Sequence, residues 1–203
     1  MRNIIKILLI AAISGQSLIA EGQRFVLSGD GTFIAIKGTS SLHDWEMNLE
    51  ASNSVFQLNR DGNVIKGIEN VSFSCRATDI KSEYSLMDKK TRDALKADEY
   101  PEIKFSSISG TTKVARDNTF TGNLYGRLFV AGNTRDVSIP FKGTFTDSNT
   151  IKITASAELT LTSFNITPPT AMMGALKTGD QISVLFSLHF VTAEKENNQV
   201  AGD

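Results

Sequence analysis

The chain has 203 residues, 40% of them hydrophobic, with 21 Lys and Arg against 22 Asp and Glu. Such balance argues against nucleic acid as a partner, because phosphate binding needs clustered basic side chains. The single cysteine, Cys75, rules out an internal disulfide, so the fold must rest on burial and hydrogen bonding.

The first element is a leader. Arg2 and Lys6 precede an apolar run, Ile7 to Ile13, that is too short to span a bilayer, and small residues follow before Glu21. This is the pattern of a secretory signal peptide over residues 1–20, with cleavage expected after Ala20. Removing it leaves 19 basic and 22 acidic residues, a formal charge of −3. No cysteine stands at the cleavage site, so a lipoprotein anchor is not expected. No later stretch is long and apolar enough for a membrane helix, so no stable membrane insertion is expected after cleavage.

Period-two alternation then recurs, which signals half-buried strands. Early candidates are Phe33–Lys37, Trp45–Ala51, Val55–Asn59 and Asn70–Ala77. In the last of these, Val71, Phe73 and Cys75 share a face, and Cys75 reads as a small core residue. A helix follows near residues 86–96. Ser85 and Asp88 suit a capping box, with Met87, Thr91, Ala94 and Leu95 on one face and Lys89, Lys90, Arg92, Asp93 and Lys96 mainly outward. Pro101 stops the helix, and Tyr100 before it is pushed toward extended backbone.

Strands resume at Ile103–Ile108. Phe120, Leu124, Leu128 and Val130 form an alternating series interrupted by Gly122 and Gly126. Further series are Val137, Ile139, Phe141; then Ile151 to Leu161; then Ile182, Val184, Phe186, Leu188, Phe190. Turns fall at Gly29-Asp30-Gly31, Arg60 to Asn63, Ala131 to Asn133, Asp147 to Asn149 and Gly179-Asp180. A short helical turn is read at 170–176, behind Pro168-Pro169. Residues 193–203 form a polar, flexible tail.

Many antiparallel strands with few helices mean a barrel or a sandwich. Strand length and the glycines inside strands favour a barrel, where such glycines would supply bends. Residues 21–192 read as one domain.

Chemistry is sparse. His43-Asp44 lies next to Trp45 in a polar cluster, but neighbouring strand residues point to opposite faces, so Asp44 is poorly placed to orient His43, and no G-x-S-x-G elbow occurs. His43 and His189 lack partners at zinc spacing, and no EF-hand pattern is present. No catalytic residue, metal or required cofactor is expected.

Two blocks carry a resemblance. MDKKTRDALKADEYPEIKF, ending at Phe105, holds an Arg-Asp pair and a Tyr-Pro-x-Ile-x-Phe. GNLYGRLFVAGNTRDVSIPF, ending at Phe141, holds Gly-x-Leu, Gly-x-Thr and Val in order. Together they resemble the YceI-like family of secreted polyisoprenoid-binding proteins, more weakly from about Phe33 to Phe190. Leu95-Lys96 lacks the histidine many members have there, and Glu99 replaces a common aromatic.

The resemblance implies a mainly β fold, an extended eight-stranded antiparallel lipocalin-like barrel. It also implies a polyisoprenoid or polyprenyl quinone held inside, and a bacterial periplasmic or extracellular location. The residues expected to touch that ligand are Phe33, Trp45, Met47, Phe73, Met87, Phe105, Leu128, Phe141, Leu159 and Phe186, with Phe164, Ile166, Met172 and Met173 covering the pore. Whether 12 Phe and 5 Met fill the lumen or line a hollow is open from composition. The lipid-binding barrel is expected as a monomer or homodimer; a filled barrel acting through protein contacts is the rival reading, and a small enzyme using His43 and Asp44 the third.

Overall fold

The computed structural model describes residues 22–61, 64–114 and 118–193. The expected leader, Gly62 and Asn63 of the first hairpin turn, and tail residues 194–203 lie outside the described residues.

In chain order the strands are β1 (Gln23–Ser40), β2 (Trp45–Leu49), β3 (Asn53–Asp61), β4 (Val64–Arg76) and β5 (Ile80–Lys81). The helix α1 (Ser85–Ala94) precedes β6 (Glu102–Val114), β7 (Thr119–Val130), β8 (Asn133–Asp147) and β9 (Thr150–Thr160). A 3₁₀ turn, Leu161–Phe164, leads to β10 (Thr170–Ala171), a second at Met172–Gly174, and β11 (Leu176–Thr192).

Eight long strands close into an antiparallel barrel. Neighbours run β11-β9-β8-β7-β6-β4-β3-β1, and β1 pairs back onto β11. Closure leaves no long sheet edge for another chain to extend. β1 changes partner along its length: Arg24 and Phe25 face β3, while Ala35 to Gly38 face β2.

The same strand carries the barrel's main irregularity. Between the pairs Ser28↔His189 and Phe33↔Ser187, β1 advances five residues while β11 advances two. An odd excess reverses the side on which each side chain emerges. Phe25 therefore packs in the core with Ile34, although the two differ in phase. The turn residue that makes this possible is Gly31, at φ +72.

The core is not spread evenly. Phe25, Leu58, Phe120 and Ile151 are the largest fully buried side chains, and they lie at the end where the 61–64, 114–119 and 147–150 connections fall. Phe25 stacks on Phe56 at 5.2 Å, and Phe56 meets Phe190 edge-on. Phe120 does the same with Phe141 and tilts against Phe145. Each such side chain contributes about 1.5–3 kcal/mol by leaving water. This end is a solid base.

Gly122 and Gly126 serve a different purpose from the bends expected. Neither has positive φ. A Cβ on Gly122 would collide with the Phe141 ring at 2.5 Å and with the Thr111 carbonyl, and one on Gly126 would meet the Phe105 ring at 2.6 Å. The glycines make room for rings that lie flat across the neighbouring strand, a known means of covering sheet glycines.

The helix differs from expectation at its start. Tyr84 takes the cap position without a side-chain bond, and Ser85 is already helical. Asp88 reaches further back, its Oδ1 accepting from the Ser82 backbone N–H and hydroxyl, both at 2.8 Å.

Candidate ligand-binding cavity

Above the base the barrel is hollow. A cavity of about 1240 Å³ runs up the lumen, larger than the ~300–1,000 Å³ typical of small-molecule sites. Its walls are the inner faces of the long strands. Val71, Phe73 and Cys75 come from β4; Val137, Ile139 and Phe141 from β8; Ile153, Ala155, Ala157 and Leu159 from β9; Ile182 to Phe190 at every second residue from β11. The alternating series read from the sequence are these inward faces.

The floor is formed by Phe56, Ile68, Phe141, Ile153, Leu188 and Phe190, which line the cavity and pack directly on the base. Phe25, Leu58, Phe120 and Ile151 do not reach it. The slot is blind at this end.

At the other end, Val130, Ala131, Phe164 and Ile166 form a second small core with Ala94, Leu95, Leu128 and Leu161 packed against it. It roofs one side of the lumen. Beside it the lining reaches exposed residues, within 43–50 of the β1–β2 turn and β2, within 83–90 at the start of α1, and at Thr170. That is the mouth.

Of the fourteen residues expected to touch a ligand, the cavity brings together eleven: Trp45, Met47, Phe73, Met87, Phe105, Leu128, Phe141, Leu159, Phe164, Ile166 and Phe186. Phe33 is a correction. It is half exposed, because the three extra residues before it turn it outward and set Ile34 and Ile36 toward the lumen instead. Met173 is another, fully exposed at the tip before β11 and not part of the lining. The side chain of Met172 lies outside the described residues.

Sequence reasoning passed over Ile34, Phe56, Leu86, Lys90, Leu188 and Phe190 as lining residues. Leu188 and Phe190 belong to an alternating series whose phase already named Phe186. Lys90 was placed outward, yet it flanks the mouth.

Polar atoms of the lumen are already engaged. Ser54 donates to the Ser72 carbonyl at 2.7 Å, and Thr91 to the Met47 sulfur at 3.3 Å. Among the described residues, no buried side-chain N or O lacks a partner. Burial, and secondarily the Asp79 carboxylate, push the Cys75 thiol up to about 12, so this wall residue stays a neutral thiol. The deep cavity therefore offers area and shape rather than directed bonds.

The mouth is more polar. His43 Nδ1 lies 2.7 Å from the Asp44 backbone carbonyl, so it is the main chain that holds the ring. Trp45 lies directly on Gly38, and its indole N–H donates to the Thr39 carbonyl at 2.9 Å. Among the described residues no group of three or more His, Cys, Asp or Glu side chains could hold a metal ion. No helix among them is long and apolar enough to cross a membrane.

α1 completes the wall in an unusual way. Met87, Thr91, Ala94 and Leu95 all line the cavity, yet no residue of α1 is buried. Ala94, with Leu95 just after the helix, packs on the second core, while Met87 and Thr91 border the lumen half-buried.

Comparison with known proteins agrees with this architecture. The family model for the YceI-like domain matches residues 19–190. Among solved structures, BcnA of Burkholderia cenocepacia is 15% identical with a TM-score of 0.61, covering 80% of this chain and 98% of its own. A polyisoprenoid binding domain from Saccharophagus degradans, implicated in plant cell wall breakdown, is 8% identical with a TM-score of 0.65, covering 83% and 98%. The Campylobacter jejuni YceI protein is 15% identical with a TM-score of 0.57, covering 70% and 82%. No curated protein matches the chain.

Proposed function

Because this chain belongs to the YceI-like domain family, we propose that it binds the apolar tail of an amphiphilic lipid in its lumen, as a carrier or store. The tail is of polyisoprenoid or polyprenyl-quinone type. The site of action is the periplasm or the cell exterior, in keeping with the leader-like segment at residues 1–20. It acts by binding, without a catalytic residue.

The observation that carries this reading is the blind, apolar cavity of about 1240 Å³ above a solid base. A guest there would gain about 0.8 kcal/mol for each CH₂ removed from water. It would also add apolar contact to Met87 of α1, which lines the lumen half-buried. The similarity to a polyisoprenoid binding domain supports the class of tail.

The mouth favours an uncharged head. Asp44, Glu50 and Glu83 line it against Lys81 and Lys90, while Glu46 is paired with Lys37 at 2.9 Å. An acidic majority repels a phosphate or diphosphate and leaves a neutral ring or hydroxyl as the better fit.

Native mass spectrometry of freshly purified mature protein, followed by organic extraction, tests the proposal. A co-purifying isoprenoid mass is the expected result. Protein that is free of lipid and takes up no prenyl alcohol offered in detergent would refute it.

A further inference from the structure

Several large apolar side chains that the fold leaves in water stand around the mouth. Leu42 is 70% exposed, Tyr84 66% and Leu86 61%, and Met173 is fully exposed. Tyr84 and Leu86 line the opening itself. Leu42 occupies the β1–β2 turn beside His43 and Asp44, which also line it. That turn is bonded to the segment after Met173: the Ser41 N–H donates to the Lys177 carbonyl at 2.9 Å, and the Lys177 N–H to the Ser41 hydroxyl at 3.1 Å. Thr170 and Leu176, on either side of Met173, belong to the same rim.

The base end presents a single large exposed apolar side chain among the described residues, Val64, and the remainder stand along the walls. Met173 is also held at φ +56, a region that L residues seldom occupy. The fold thus places a bulky apolar side chain outward, on strained backbone, at the edge of an apolar cavity.

We propose that this rim is a membrane-docking surface: Leu42, Tyr84, Leu86 and Met173 dip into the interface of a lipid bilayer and set the mouth against it. The proposal rests on the carrier reading above. A tail of that class resides in bilayers, and an opening held flush with one lets it slide between membrane and lumen without crossing water. The apolar side chains encircle an opening instead of forming one flat patch, which suits insertion into lipid better than a protein face. The charged side chains at the opening carry no basic excess, with Asp44, Glu50 and Glu83 against Lys81 and Lys90. Docking is therefore driven by apolar insertion rather than by anionic lipid.

The test uses mature protein, a fluorophore-labelled farnesol as probe, and neutral phosphatidylcholine vesicles as donor and acceptor. Transfer by the wild type is expected to accelerate in proportion to acceptor vesicle concentration. The double variant Leu42→Ser/Met173→Ser alters two exposed side chains outside the cavity lining. It should transfer at least five-fold more slowly, with equilibrium uptake of the probe unchanged. A wild-type rate independent of vesicle concentration, or a double variant as fast as the wild type, would overturn the docking proposal while leaving the carrier reading intact. Wild-type protein that takes up no probe at all would overturn both.

Discussion

Phe56 and Phe190 meet edge-on, ring centroids 4.8 Å apart at 73°, although their strands β3 and β11 are not hydrogen-bonded to each other. The contact bridges β1 and seals the bottom of the cavity, with Phe25 stacked beneath Phe56. Phe190→Ala should cost about 3–5 kcal/mol, measured by urea unfolding. It should also deepen the slot by one layer of side chains, ~5 Å for tilted strands. Mass spectrometry of the co-purified lipid is then expected to shift toward tails roughly one prenyl unit longer; an unchanged length distribution would show that the floor does not set tail length.

Filling the lumen is the complementary change. Ala157 lines the cavity and is paired with Val184 on β11. Ala157 is 6% exposed, so the indole of Ala157→Trp must displace neighbours as it enters the lumen, and stability should fall by about 1–3 kcal/mol. Uptake of a prenyl alcohol should fall at least ten-fold, read as probe partition from detergent. Full uptake would mean that the tail does not occupy this part of the barrel.

Gly122→Ala is expected to be among the more damaging of the small substitutions. Its Cβ would strike the Thr111 carbonyl, which is backbone and cannot swing aside, and the Phe141 ring. A loss of about 1–3 kcal/mol is expected by chemical denaturation. A neutral result would mean that β7 and β8 shift apart easily.

Cys75 gives a pH signature. Its folded value of about 12 lies above that of an unfolded thiol, near 8.5. The unfolded chain therefore releases this proton first, so the contribution of the neutral thiol is complete below about pH 8.5 and declines as pH rises toward 12. Between pH 8 and pH 10.5 the wild type should lose more stability than Cys75→Ala, compared by urea midpoints. Native protein at pH 8 should react with iodoacetamide far more slowly than unfolded protein, and a bound lipid should slow it further.

The start of α1 can be tested by two substitutions with opposite expectations. Asp88→Ala removes the acceptor for both Ser82 groups and should cost about 1 kcal/mol. Ser85→Ala removes a hydroxyl that caps nothing and should be close to neutral. Hydrogen exchange of the α1 amides reads the difference directly.

Much of this was legible from residue order. Alternation in β8, β9 and β11 reports which side chains face inward, because a strand buried on one face needs an apolar residue at every second position. Two features were hidden for definite reasons. The outward turn of Phe33 depends on three extra residues in β1 relative to β11, and that imbalance exists only once the partner strand is known. Ser85 and Asp88 have capping-box spacing, but the chain enters the helix one residue earlier and Asp88 finds Ser82 instead. Hollowness was hidden too. The same phenylalanines compose the base and the cavity wall, and only their heights along the barrel separate the two roles.

The packed foot of the barrel bears on how such a vessel is reused. A container whose walls depended on its contents would crumple on unloading and need rebuilding before the next round. Here the clasp of Phe25, Leu58, Phe120 and Ile151 is buried below the chamber and takes no part in its lining, so under the proposed carrier reading the foot does not depend on a guest for its packing. Residues of the upper chamber are correspondingly free to be retuned toward a new guest while the clasp keeps the tube upright.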